Sequence, residues 1–77
     1  MTDRERYEIA LMQHATAWPK KYRNFFCAEP TSLDDEVWKG LVSQGQARLF
    51  RVDQEAGNFY CLTDAGFARL EAAPCQS

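Results

Sequence analysis

Apolar side chains recur every three or four residues over the first part of the chain, which is the spacing of one face of a helix. This stripe consists of Tyr7, Leu11, His14 and Trp18. It predicts a first helix over residues 3–17 with Thr2 or Asp3 as its cap. Pro19 ends the helix because it pushes the preceding residue out of the helical region. We expect the stripe to face the core and Ile9 to lie on the opposite side.

Residues 33–44 show the same spacing and predict a second helix. Its apolar row is formed by Leu33, Val37 and Leu41, with Trp38 and Val42 beside it. Thr31 or Ser32 is the expected cap, and Gly45 supplies the left-handed residue that ends the helix. The polar side chains expected to point away from the core are Asp35, Glu36, Lys39, Ser43 and Gln44.

The pattern then changes to the alternation of a β-hairpin. Two strands are predicted over residues 47–52 and 59–62, joined by a turn over residues 53–58. A last helix follows with Thr63 as its cap. Gly66 lies inside that helix, where glycine lowers stability by about 1 kcal/mol, so we expect another backbone segment to pack closely against it.

The segment over residues 20–27 mixes cations with aromatic rings and is too short for periodicity to decide its structure. Two interpretations stay open, a short helix over about residues 20–26 and an extended strand that caps the hairpin. Together the elements predict an α+β fold of three main helices and a two-stranded hairpin. We expect one domain over residues 1–77 with a frayed tail over residues 73–77.

The C-terminal half carries two short motifs that resemble a known family. Leu41 and Gly45 match an L-x-x-x-G pattern. After the hairpin, Leu62, Thr63 and Gly66 match L-T-x-x-G. This succession resembles the signature of winged helix-turn-helix regulators, of which the multiple-antibiotic-resistance regulators are one example. The resemblance covers roughly the last 35 residues and implies a small winged-helix-like domain whose wing is the two-stranded hairpin.

The whole chain is also similar to small prophage-encoded proteins of unknown function, which carry a Y-R-N-F-F stretch ahead of an L-V-x-x-G helix. Here the two stretches are residues 22–26 and 41–45. This second resemblance implies a phage or bacterial origin and no particular activity.

In winged-helix regulators the helix before the wing lies in the major groove of DNA, and the wing touches the backbone. Carried over, the resemblance implies base-facing positions at Asp35, Glu36, Lys39 and Ser43, with Arg48 and Arg51 near phosphates. The first turn of this helix is acidic, with Asp34, Asp35 and Glu36, and phosphates repel carboxylates. The turn tip over residues 54–57 adds no lysine or arginine, and the helix that should precede the recognition helix is short or missing.

Composition narrows the functional classes. The 77 residues include no apolar run of membrane-spanning length and no signal-peptide core after the charged opening, so we expect a cytoplasmic protein without membrane contact. The formal net charge of −2 argues against nucleic-acid binding without excluding it, because local patches matter more than the total. The three cysteines, Cys27, Cys61 and Cys75, show no zinc-ligand spacing, and burial is expected for the first two. His14 is expected to be a packed ring. We therefore predict no enzyme activity, no cofactor, no metal and no small-molecule substrate.

The favoured hypothesis is a non-catalytic interaction module that binds a protein partner or forms a homodimer. The alternative is a DNA-binding transcriptional regulator that holds double-stranded DNA on a basic face made of Lys20, Lys21, Arg23, Arg48 and Arg51. The candidate nucleic-acid-binding residues are these five together with Lys39. For the arginines of the wing, the competing interpretation is surface ion pairing with Asp53 or Glu55.

Overall fold

The computed structural model describes residues 2–73 of the chain. Its elements in chain order are α1 (Asp3–Thr16), β1 (Phe26–Ala28), α2 (Leu33–Ser43), β2 (Ala47–Asp53), β3 (Gly57–Leu62) and α3 (Asp64–Ala72). The α+β class and the three predicted helices are confirmed. Of the predicted frayed tail over residues 73–77, residues 74–77 with Cys75 lie outside the described residues.

Side-chain caps determine where each helix begins. The Thr2 hydroxyl accepts a hydrogen bond from the Glu5 amide at 3.1 Å, and the Glu5 carboxylate accepts one from the Thr2 amide at 3.2 Å. Ser32 caps α2 and Thr63 caps α3 through their hydroxyl oxygens. Gly45 has a φ of +76°, the left-handed conformation expected just beyond α2. These predicted caps are confirmed.

The hairpin belongs to a three-stranded antiparallel sheet in the order β1-β3-β2, so the prediction of a two-stranded wing is wrong. β1 pairs with β3, with Phe26 opposite Tyr60. Just before β1, the Asn24 side chain donates to the Leu62 carbonyl at 3.1 Å and accepts from the Leu62 amide at 2.8 Å. Of the two interpretations left open for residues 20–27, the structure agrees with the extended strand that caps the hairpin and not with the short helix. Periodicity could not decide between them because three residues are too few to show an alternation, and the partner strand is distant in sequence.

Trp38 lies fully buried at the centre of the core. Its ring stacks on Tyr60 with centroids 5.6 Å apart and contacts Phe26 at 5.5 Å, while Trp18 packs at the margin. The other buried apolar side chains of the core are Ile9, Met12, Ala15, Ala28, Val37, Leu41, Ala47, Leu62 and Leu70. All three helices contribute to this set, so they pack on the sheet face that carries Tyr60, which we call the inner face.

The face of α1 that enters the core differs from the predicted one. Ile9 and Met12 are buried, whereas Tyr7 and His14 are exposed. The pattern failed here because Glu8 lies on the same buried side, where an ion pair with α3 satisfies its carboxylate. A charged residue on the buried side interrupts the apolar spacing, so the pattern did not indicate the face that carries Ile9.

α2 follows its predicted face more closely. Val37 and Leu41 are buried as expected, but Leu33 and Val42 retain substantial exposure. Asp35 was expected at the surface and is instead buried against the sheet, where hydrogen bonds satisfy its carboxylate. Its predicted base-facing position is therefore wrong.

Candidate interaction surface

The sheet has a second face, which points away from the helices. Because side chains alternate along a strand, Phe59 and Cys61 on β3 point opposite to Tyr60. Arg48 pairs with Cys61 and Arg51 pairs with Phe59, so both arginines share this side. We call it the outer face, and its members are Cys27, Arg48, Phe50, Arg51, Phe59 and Cys61.

A β-bulge adds Phe50 to the outer face. Leu49 pairs with Tyr60 and Arg51 pairs with Phe59, so Phe50 is the extra residue on β2. Its ring lies 6.1 Å from the Phe59 ring, and the Arg51 guanidinium lies 5.6 Å from that same ring. Phe50 and Arg51 are therefore consecutive residues that point to the same side, unlike neighbours in a regular strand.

β2 is an edge strand, since β3 covers only one of its sides. Three apolar side chains on it remain accessible to water, with exposed fractions of 41% for Leu49, 49% for Phe50 and 66% for Val52. The free side of an edge strand also presents backbone N–H and C=O groups that can pair with another strand. We call the free side of β2, with these three side chains, the β2 edge.

The candidate nucleic-acid-binding residues on the second half of the chain lie on two sides of the sheet. Arg48 and Arg51 lie on the outer face, where Arg51 is 3.5 Å from the Asp53 carboxylate, in agreement with the surface pairing considered from the sequence. Lys39 belongs to α2, and its ammonium is 3.1 Å from the buried carboxylate of Asp35. The sheet therefore separates Lys39 from the two arginines.

The other candidate residues, Lys20, Lys21 and Arg23, lie in the segment between α1 and β1. The Lys21 ammonium is 3.3 Å from the Glu71 carboxylate and 5.1 Å from the centre of the Trp18 ring. The Arg23 guanidinium donates to the His14 carbonyl near the end of α1 at 2.6 Å. These contacts attach Lys21 to α3 and Arg23 to α1, rather than to the sheet that carries Arg48 and Arg51.

A buried carboxylate that the sequence did not reveal lies between α2 and the sheet. Asp35 accepts hydrogen bonds from the Tyr60 hydroxyl at 2.6 Å and from the Asn58 amide at 2.9 Å, and it pairs with Lys39. Burial alone raises the pKa of Asp35, but these partners outweigh burial and hold the pKa below its usual range. Burial and the adjacent carboxylate raise the pKa of Tyr60.

The Asp35 cluster joins α2 to β3 and has the features of a structural ion pair. From the sequence, the position of Asp35 in the first turn of α2 was already explained by the helix dipole, so no signal indicated its burial. An open depression of about 330 Å³ beside it is lined by Thr31, Ser32, Asp35, Glu36 and Lys39. The charges of Asp35 and Lys39 are matched there by each other.

Cysteine and histidine side chains form no evident metal site in the described part of the chain. Within residues 2–73, no group of three or more His, Cys, Asp or Glu side chains is placed to hold a metal ion. Cys61 is buried as predicted, but Cys27 is exposed, and its thiol lies 3.0 Å from the Ala56 carbonyl. His14 is not the packed ring that we predicted, although its edge contacts Phe26.

Comparisons of the chain with models of protein families, with curated proteins and with solved structures found no match. The resemblances based on short motifs therefore remain predictions. Between residues 2 and 73, no helix combines the length and the apolar character that a membrane crossing requires.

Proposed function

We propose that the protein is a non-catalytic interaction module that binds another protein chain through the β2 edge. The observation that carries this proposal is the presence of three exposed apolar side chains on an edge strand, Leu49 and Val52 on the inner side and Phe50 on the outer side. An extended segment added to this edge would cover these side chains and pair with the free backbone groups. The buried apolar area and the new backbone hydrogen bonds would then both stabilise the complex.

The distribution of charge supports a protein ligand over a nucleic acid. Lys21, Lys39 and Arg51 are each paired with a carboxylate of this chain. The chain as a whole has a formal net charge of −2. Binding to nucleic acid depends on many cations that neutralise phosphates, and these pairings reduce the number available.

The proposal includes a reduced winged-helix architecture. Its support is the succession of α2, the glycine stop at Gly45, the hairpin of β2 and β3, and the capped helix α3. β1 extends the hairpin into a sheet and is the main departure from a two-stranded wing. A phage or bacterial origin and a cytoplasmic location belong to the same proposal. The similarity of residues 22–26 and 41–45 to stretches of prophage-encoded proteins supports the phage or bacterial origin.

Site-specific photo-crosslinking tests the role of the β2 edge. Benzoylphenylalanine in place of Val52 puts a reactive group on this edge, and the same replacement at the exposed Tyr22 is the control. We expect a discrete protein adduct from position 52 in bacterial cells, and its loss when Leu49→Lys is added. An adduct that survives Leu49→Lys, or one formed equally well from position 22, would contradict the proposal.

A DNA-binding regulator is the second candidate function, and one observation favours it. Arg48 and Arg51 share the outer face with the exposed ring of Phe50, so cations and an aromatic surface lie side by side. A mobility-shift assay with random-sequence duplex DNA at low and high salt tests this candidate. Salt-sensitive binding that is lost in Arg48→Ala/Arg51→Ala would support it, and the absence of any shift at low salt would exclude it.

A further inference from the structure

Along β2, the side chains point to the outer or the inner face in a sequence that reads the same from either end of the strand. The outer positions are Arg48, Phe50, Arg51 and Asp53. The inner positions are Leu49 and Val52, which pair with Tyr60 and Asn58 of β3. From residue 48 to residue 53 the order is therefore outer, inner, outer, outer, inner, outer. The centre of this symmetric pattern lies between Phe50 and Arg51, at the bulge.

This order restricts which strand can pair along the whole β2 edge. A regular strand alternates without interruption, so it can match the faces of β2 on one side of the bulge but not on both. That mismatch is one way in which bulges protect edge strands. A partner that matches the full length must carry the same irregularity at the same place, and a second copy of β2 does so.

We propose that a second copy of this chain is the partner, bound by antiparallel pairing of the two β2 strands about a twofold axis between Phe50 and Arg51. This inference rests on the proposed function and names its partner. In this register, residues 48, 49 and 50 of one copy lie opposite residues 53, 52 and 51 of the second copy. The three strands of each copy then form one continuous six-stranded sheet, and no β2 edge remains free.

The chemistry of the opposed side chains is complementary in this register. Arg48 lies opposite Asp53 of the second copy, and the twofold axis repeats this pair of opposite charges. Leu49 lies opposite Val52 of the second copy on the inner side, so the exposed apolar side chains cover each other. Phe50 lies opposite Arg51 of the second copy on the outer side, where a ring and a guanidinium attract each other. Each cross-strand pair of these kinds is stabilising.

Charge reversal at the opposed pair tests both the dimer and its register. Sedimentation velocity over a series of concentrations measures self-association of the full chain. We expect the wild-type chain to dimerise. Arg48→Glu and Asp53→Lys should each raise the dimer dissociation constant by about tenfold or more, because each places like charges opposite each other twice. A mixture of the two variants should form a heterodimer, since it places opposite charges at both pairs.

Controls separate charge at the interface from changes in folding. Arg6→Glu makes the same change of charge on α1 and should leave dimerisation unchanged. Asp53 also accepts hydrogen bonds from the Glu55 and Ala56 amides in the turn, which Asp53→Lys removes. Asp53→Asn keeps an acceptor there and removes only the charge, and we expect a smaller loss of dimer. Circular dichroism checks that each variant is folded.

The outcomes distinguish this inference from the proposed function. A wild-type chain that stays monomeric at its highest soluble concentration overturns the dimer. A dimer that responds equally to Arg6→Glu and Arg48→Glu, or a variant mixture without a heterodimer, overturns the register. If the crosslink from position 52 joins a protein other than a second copy, the inference fails while the proposed function stands.

Discussion

At the scale of single residues, the buried carboxylate of Asp35 depends on the hydroxyl that faces it from β3. The Tyr60 hydroxyl donates to this carboxylate at 2.6 Å, and both side chains are fully buried. We expect Tyr60→Phe to lower the free energy of unfolding by about 1.5–3 kcal/mol, because a hydrogen bond to a charged group is lost without replacement. Urea denaturation at neutral pH, followed by tryptophan fluorescence, measures the change.

Tyr22→Phe is the matched control, because the Tyr22 side chain is largely exposed. It removes the same hydroxyl and should leave the free energy of unfolding within about 0.5 kcal/mol of wild type. Equal effects of the two substitutions would mean that the Tyr60 hydroxyl does not support Asp35.

The same carboxylate should make the protein less stable in acid. The pKa of Asp35 is lower in the folded chain than in the unfolded chain, so the unfolded chain takes up a proton first as the pH falls. The stabilisation is fully present above the unfolded value of about 3.9 and is lost as the pH falls through the lower folded value. Glu5 and Asp53 also have lowered pKa values, through backbone hydrogen bonds.

A comparison with Asp35→Asn isolates the contribution of Asp35 from those of Glu5 and Asp53. We expect wild type to be more stable than the variant near pH 7, and the difference to shrink as the pH falls from about 5 to about 3. Denaturant unfolding curves at several pH values provide the measurement. A difference that is constant over this range would contradict the assigned role of Asp35.

Residue-level prediction from the sequence succeeded where the signal was local and failed where it was not. Gly66 was expected to be packed closely, and a Cβ built there would collide with the backbone carbonyl oxygen of Gln46. Asp35 was expected at the surface and no burial was predicted for Glu8, because a charged side chain is rarely buried without a partner. Their partners come from β3 and α3, which are distant in sequence, so the chain alone could not indicate the burial.

At the scale of elements, two glycines inside helices should respond to alanine in opposite directions. Gly66 in α3 lies against the backbone of Gln46, so Gly66→Ala should destabilise the fold by about 1–3 kcal/mol through overpacking. A Cβ at Gly40 in α2 would meet the flexible side chain of Arg4 at 3.4 Å. Gly40→Ala should therefore stabilise the fold by up to about 1 kcal/mol, through helix propensity.

The pair is its own control, because both variants add one methyl group to a helix. Thermal unfolding followed by circular dichroism gives the sign of each change. A stabilising Gly66→Ala would mean that α3 can move away from the Gln46 carbonyl without loss.

Elements were predictable wherever the sequence carries caps and long periodic runs. The starts of all three helices, the glycine stop and the hairpin follow from such signals, because each depends on a few neighbouring residues. β1 depends instead on pairing with β3 and on the Asn24 side chain that bonds Leu62. The outer face, and with it the symmetric pattern of β2, depends on a bulge whose position no sequence signal gave.

At the scale of the whole molecule, one buried ion pair connects the first helix to the last. Glu8 of α1 accepts a hydrogen bond from Arg69 of α3 at 2.7 Å, and Arg69 also donates to Gln46 between α2 and β2 at 2.8 Å. Arg4 approaches the second oxygen of Glu8 at 3.5 Å from a more exposed position. One arginine thus connects three parts of the fold that are far apart along the chain.

We expect Arg69→Met to lower the free energy of unfolding by about 3–5 kcal/mol, because it leaves a buried carboxylate without its main partner. Arg4→Met removes only the exposed contact and should change the free energy of unfolding by less than about 1 kcal/mol. The double variant Glu8→Met/Arg69→Met removes both charges of this pair and should be more stable than Arg69→Met alone. Urea denaturation of the four chains measures these differences in the free energy of unfolding. A double variant no more stable than Arg69→Met would show that α1 and α3 are held together by packing around Arg69 and not by its charge.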